Sequence, residues 1–160
     1  MTRLAVFLAT AGYSGYFPIA PGTVGSAVGL LVYGVVRWTQ APGVLTMPAL
    51  EALLILCLFS AGVWAGTTAE RYFGGIDPGP IVLDEVVGML ITLAFIPVGL
   101  SGALTGFVLF RIFDVIKPFP ARRFEALHGG LGVMADDAMA AISANVSLRL
   151  VMALFPGWVA

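Results

Sequence analysis

Apolar residues run through this chain in long stretches, broken by short polar or proline-bearing links. The runs cover roughly residues 24–38, 49–67, 85–99, 101–116 and 137–155. Pro42 and Pro48 follow the first run, Pro97 the third, Pro118 and Pro120 the fourth, and Pro156 the fifth. Proline offers no backbone donor to a helix interior and disfavours helix in the residue before it, so these positions predict helix ends. Several runs are shorter than the ~20 residues that comfortably cross a bilayer, so some spans should be tilted, short or buried against neighbours. The pattern predicts an all-α fold: a compact polytopic membrane helical bundle with about five short spans. Gly25-x-x-x-Gly29, Gly62-x-x-x-Gly66 and Gly102-x-x-x-Gly106 each set two glycines on one helix face, which lets helix backbones approach closely in lipid. No repeat or low-complexity segment is present, and residues 1–160 read as a single domain.

Composition supports this reading. A mean hydropathy of +1.00 with 11% charged residues excludes disorder and departs from the ~25% charge of ordinary soluble domains. The net charge of −1 sets up no field for nucleic acid, and no basic stretch alternates with aromatics. The single cysteine, Cys57, cannot form an internal disulfide and, in an apolar run, reads as a buried inert thiol. Residues 1–11 resemble a signal peptide with an A-x-A site, but the short apolar run and the lack of a hydrophilic domain after it read against cleavage. Basic residues alternate between links: Arg3 at the start, Arg71 in 68–83, and Lys117, Arg122 and Arg123 in 117–135. By the positive-inside rule this predicts a cytoplasmic N-terminus, although Arg37 and Arg149 fall near the opposite side.

The charges are concentrated. Of 17 formal charges, 10 lie between Asp84 and Asp137. Asp84-Glu85 open the third run, Asp114 closes the fourth and Asp136-Asp137 open the fifth, so in the five-span topology all fall at one membrane face. Charge is costly there, which points to function. Carboxylates also favour helix N-termini, so capping is the plain alternative for each pair. Five carboxylates in one patch, however, need a counter-charge. Oxygen-only ligands select magnesium, calcium or manganese, and one cysteine and one histidine serve zinc poorly. Arg111, Asp114 and Lys117, spaced by three, form either a salt-bridge ladder or a cation ligand flanked by two phosphate-binding groups. His128, followed by Gly129-Gly130, suits proton transfer to a leaving alkoxide. In the segment Pro18 to Ser26, the Thr23 and Ser26 hydroxyls and nearby helix-start amides can hold an anion, or simply form a turn and a cap. It lacks the lysine of a Walker loop.

These segments together resemble a known family. Gly15-Tyr16-Phe17-Pro18-Ile19-Ala20-Pro21-Gly22-Thr23-Val24-Gly25-Ser26 is similar to the N-terminal signature of bacterial phosphatidylglycerophosphatase A, with Tyr16-Phe17 a mild departure. Ile81 to Met89, Arg111 to Pro118 and His128 to Asp137 resemble its next three motifs, in order. The resemblance covers about residues 12 to 145. It implies a magnesium-dependent membrane enzyme that removes the terminal phosphate of phosphatidylglycerophosphate to give phosphatidylglycerol. It also implies a multi-pass protein of the bacterial inner membrane with its site facing the cytoplasm, where that substrate is made.

On this reading Asp84, Asp114 and Asp136 or Asp137 bind Mg2+, and Glu85 joins them or acts as base on the attacking water. Arg111 and Lys117 bind the phosphoryl group and stabilise its charge, with Thr23 and Ser26 as further substrate contacts, and His128 is the acid for the leaving oxygen. A covalent aspartyl-phosphate route stays open. The DGxxAR…G…D…D pattern of CDP-lipid phosphotransferases and the PSGH element of histidine phosphatases are both absent. The alternative from another class is a small membrane transporter or channel subunit with an interfacial cation site. Such a protein should carry charge near the bilayer midplane rather than at one end.

Overall fold

A computed structural model describes residues 1–38, 47–117, 119, 124, 127 and 129–159. The regular elements among them are all helical. Helix α1 (Thr2–Ala9) is followed by a 3-10 turn (Ser14–Tyr16), α2 (Pro21–Trp38), α3 (Met47–Phe73), α4 (Leu83–Leu93), α5 (Leu100–Ile116), α6 (Gly130–Leu154) and α7 (Pro156–Val159). The five apolar runs become α2 to α6, as expected of an all-α bundle.

Five spans is an overstatement. Among the described residues two helices, α3 and α6, are long and apolar enough to cross a membrane, judged by length and composition. Helix α4 has 11 residues, and at ~1.5 Å per residue it reaches about half of a ~30 Å hydrocarbon core. It stops at Leu93 because Phe95 adopts a left-handed backbone (φ 61°) and Pro97 cannot continue a helix. Helix α5 has 17 residues, and α2 is diluted by Pro21-Gly22-Thr23 at its start and Arg37 at its end.

The short α4 is the central post, with nine of its 11 residues buried. Helices α2, α3, α5 and α6 pack around it, and the core cluster includes Met89, Leu93, Phe110, Ala144 and Leu148. The glycine faces do what their spacing predicts. Gly25 and Gly29 set α2 against Val82, Val86 and Met89 of the α4 segment. Gly62 and Gly66 set α3 against Met134 and Gly130 of α6, and Gly88 receives the Phe110 ring.

The broken end of α4 is held by polar groups. The Asn145 amide donates to the carbonyls of Ile91, Thr92 and Ala94 at 3.1, 2.9 and 3.1 Å. The Phe95 N–H donates to Glu51 Oε2 at 2.8 Å, and the Arg37 guanidinium lies 4.0 Å from Glu51 Oε1. Backbone groups stranded inside an apolar bundle are costly unless paired, so these side chains let a half-length helix end there. Outward, the bundle is apolar: Leu31, Leu56, Leu100, Val115 and Leu150 are all exposed, which is a surface suited to lipid rather than water; Cys57, expected to be buried, is exposed on this face of α3 beside Leu56.

Candidate active site

Four helix ends meet at the end of the bundle opposite Glu51 and Asn145. They are the starts of α2, α4 and α6 and the finish of α5. Asp84 and Glu85 lie in the first turn of α4. Asp136 and Asp137 are not at the start of α6, which begins at Gly130. The helix begins earlier than the apolar run because Gly130 packs against the Val63 carbonyl of α3, too close for a side chain. The Gly130 N–H donates to Thr67 Oγ1 at 2.9 Å. Gly129 and Gly130 therefore dock the start of α6 on α3.

Asp84, Glu85 and Asp137 converge. One carboxylate oxygen from each lies within 4.8 Å of the others. Asp84 is 5% exposed and Asp137 4%. Asp84 Oδ1, Glu85 Oε2 and Asp137 Oδ2 are buried with no hydrogen-bond partner among the described residues. Buried carboxylate oxygens without donors are expensive. An all-oxygen donor set at this spacing fits a hard cation with metal–oxygen distances of ~2.0–2.6 Å. The cluster can bind a metal ion.

Asp114 and Asp136, expected as ligands, are each engaged by a cation. Arg111 Nη1 lies 2.9 Å from Asp114 Oδ2, and Lys117 Nζ lies 2.6 Å from Asp136 Oδ2. The other Asp136 oxygen accepts the Asp137 N–H at 3.0 Å. Asp114 is still part of the patch, since its charge bears on both Glu85 and Asp137. Five carboxylates thus face two cations, and the excess negative charge lies at the triad. Lys117 is the residue after α5 and takes a left-handed backbone (φ 45°), a position that glycine occupies more cheaply.

The start of α2 closes one side. Gly22 lies against the Glu85 carboxylate and near Arg111, so a side chain there would push both groups aside. Ser26 Oγ donates to the Gly22 carbonyl at 2.9 Å and accepts from Arg111 Nη1 at 3.3 Å, so it orients the guanidinium. Thr23 is exposed on the first turn. The Thr23 and Val24 amides are already bonded to the Ala20 carbonyl, which removes two of the donors expected to hold an anion. His128 lies outside the described residues.

Asp77 is a residue that sequence reasoning missed. It shares a cavity of ≈310 Å³ with Asp136, Val133 and Leu127. Its backbone is left-handed (φ 46°), and its N–H donates to Glu70 Oε1 at 3.1 Å. Desolvation, and then the charge of Asp136, push its carboxyl up to about 6. The available signal was its loop, which joins α3 to α4 on the same side as Asp84.

Comparison with known proteins agrees with this geometry. A family model for Phosphatidylglycerophosphatase A matches residues 7–152. A Haemophilus influenzae protein named Phosphatidylglycerophosphatase A is 42% identical over 83% of this chain and 79% of its own length. The Escherichia coli protein of the same name is 38% identical over 81% of this chain and 72% of its own. A putative phosphatidylinositol-3-phosphatase from Bacteroides thetaiotaomicron is 36% identical over 87% of each chain. No solved structure matches significantly. With the family model matched over nearly all of its length, and with Asp84, Glu85, Arg111, Lys117 and Asp137 gathered at one end of an apolar bundle, this chain is a phosphatase of the phosphatidylglycerophosphatase A family.

Proposed function

We propose that this protein hydrolyses the terminal phosphomonoester of phosphatidylglycerophosphate, giving phosphatidylglycerol and phosphate, and that it depends on Mg2+. The carrying observation is the triad of partnerless oxygens from Asp84, Glu85 and Asp137, flanked by Arg111 and Lys117. The family and the names of the two phosphatidylglycerophosphatase relatives support the substrate.

The roles follow from position. Asp84, Glu85 and Asp137 would hold the magnesium, with Asp114 and Asp136 beside them. When bound, the ion supplies positive charge to the phosphoryl oxygens and favours ionisation of water. Arg111 presents a planar fork to the phosphate and Lys117 a point charge, both aimed where negative charge builds up. Water attacks phosphorus, the bond from phosphorus to the glycerol oxygen breaks, and that oxygen takes a proton. A triad carboxylate receives the proton of the attacking water, and His128 donates to the leaving oxygen. Burial of Asp84 and Asp137 excludes bulk water, which strengthens each of these interactions.

The apolar exterior and helices α3 and α6 support a membrane setting. The basic links support placing the site on the cytoplasmic face of a bacterial inner membrane. Phosphate release from phosphatidylglycerophosphate and from phosphatidylinositol 3-phosphate in mixed micelles tests the assignment. The expected result is release from the first, abolished by EDTA and restored by magnesium. Preference for the inositol lipid would move the substrate to that named for the Bacteroides relative. No release from either would reject the phosphatase reading in favour of a cation-binding transporter.

A further inference from the structure

Helices α2 and α5 touch at the site and stand apart beyond it. Ser26 of α2 meets Arg111 of α5 at 3.3 Å. Eight residues along each helix, in opposite chain directions, come Gly34 and Ala103. These two line one apolar hollow of ≈500 Å³, together with Leu30, Leu31, Val98 and Leu100. Gly25, Gly29, Gly62, Gly66, Gly88 and Gly106 each face a packed neighbour, whereas a side chain at Gly34 would meet nothing within 4 Å. A second apolar hollow of ≈400 Å³ follows α5 through Phe107, Val108, Ile112 and Val115 and includes Arg111 itself.

Leu100, Ala103, Phe107 and Arg111 are spaced by three or four, so they form one stripe along α5. The stripe is apolar throughout and ends on a guanidinium that reaches Ser26 and Asp114. From Arg111 to Leu100 is ~16 Å at ~1.5 Å per residue, about the ~15 Å depth of one leaflet.

We propose that the face between α2 and α5 holds an acyl chain of the lipid whose phosphate is bound at Arg111. This rests on the lipid phosphatase reading and adds to it a chain-length specificity. Two features select this occupant over bulk lipid or a second copy of the protein. The α5 stripe leads from the hollow to Arg111 at the site, and the other arginine on this face, Arg37, already lies 4.0 Å from Glu51 Oε1, so the cation that meets an anionic head with a leaflet-long tail is Arg111.

Because Gly34 faces open space, filling it need not disturb the core. The test is Gly34→Leu and Gly34→Trp, assayed on dioleoyl and dihexanoyl phosphatidylglycerophosphate in one detergent. The expected result is a long-to-short ratio of kcat/KM lowered about tenfold by leucine and further by tryptophan, mainly through KM, as for loss of one or two buried methylenes or more. Gly157→Leu, also facing open space but on α7, should leave the ratio as in wild type. An unchanged ratio in both Gly34 variants would overturn the proposal and mean that bulk lipid alone covers this face. Equal losses on both chain lengths, or the same change from Gly157→Leu, would also overturn it. A wild-type protein inactive on both chain lengths would instead reject the phosphatase reading itself.

Discussion

Asp137→Asn should make the metal-free protein more stable and the magnesium-treated protein no more stable than that. Asp84, Glu85 and Asp137 place carboxylate oxygens within 4.8 Å of one another. At an effective dielectric of ~20, each ionised pair at that distance repels by about 3.5 kcal/mol. Three such pairs rival the ~5–15 kcal/mol net stability of a whole domain, so the native state must relieve them there by taking up protons or a cation. Removing one charge relieves two of the three pairs. Replacements of buried charge by neutral groups yield ~1–4 kcal/mol once desolvation and relaxation are included. For a chain of this size ~1 kcal/mol moves Tm by ~2–4 °C, so a rise of several degrees in EDTA is expected. In wild type, magnesium at about 100 times its Kd adds ~2.7 kcal/mol. Asp137→Asn should lose most of that gain, and with it at least ~100-fold of activity. Thermal unfolding in detergent, with EDTA and with magnesium, reads both effects. A lower metal-free Tm together with an undiminished magnesium shift would refute the cation site.

Arg111→Lys keeps the charge but loses the planar guanidinium whose Nη1 reaches both Ser26 and Asp114 and whose other nitrogens remain to meet phosphate, so kcat/KM should fall about 10–100-fold; steady-state kinetics retaining more than half of wild-type activity would contradict the role. Asp77 has its carboxyl raised from 3.8 to about 6. The folded chain therefore holds that proton more tightly than the unfolded chain, and loses stability as pH rises through that window. Asp77→Asn should flatten Tm against pH between about 4 and 6 and raise Tm at pH 7; superimposable profiles would refute it. Asn145→Ala strips the donor from the carbonyls of Ile91, Thr92 and Ala94 and should cost ~2–4 kcal/mol while leaving the magnesium shift intact. An unchanged Tm would show that these carbonyls do not depend on Asn145.

The helices were largely legible, because an apolar period and flanking prolines are local signals. The length of α4 was not. Its apolar run continues to residue 99, but the helix stops at Leu93, where Asn145 and Glu51, far away in sequence, accept its loose end. Convergence at one end of the bundle was legible too, since helices that alternate in direction return acidic ends to the same side. Which acid does what was not. Adjacent residues on a helix diverge by roughly 100°, so Asp136 and Asp137 had to separate, and only helix packing decides which one turns toward Asp84. Asp137 joins the triad and Asp136 meets Lys117. Asp77 escaped notice because loop residues carry no period, and its place depends on how the link from α3 to α4 folds back over α6.

Capping, the plain explanation for these acids, fails differently at each pair. Asp136 and Asp137 lie six and seven residues into α6, beyond the first turn where a helix dipole rewards negative charge. Asp84 and Glu85 are in the first turn of α4, yet no side chain caps that helix, and an oxygen of each is buried without a donor. A carboxylate present only to cap would leave no oxygen buried without a donor, and here each has one. Helix α4 can nevertheless carry them inward, because its far end is secured by Asn145 and Glu51 and its flank by Gly25 and Gly29 of α2. The fold thus spends buried polar groups at one end of a short helix to fix the other end. What that rigidity holds in place is a set of oxygens spaced to share one hard cation.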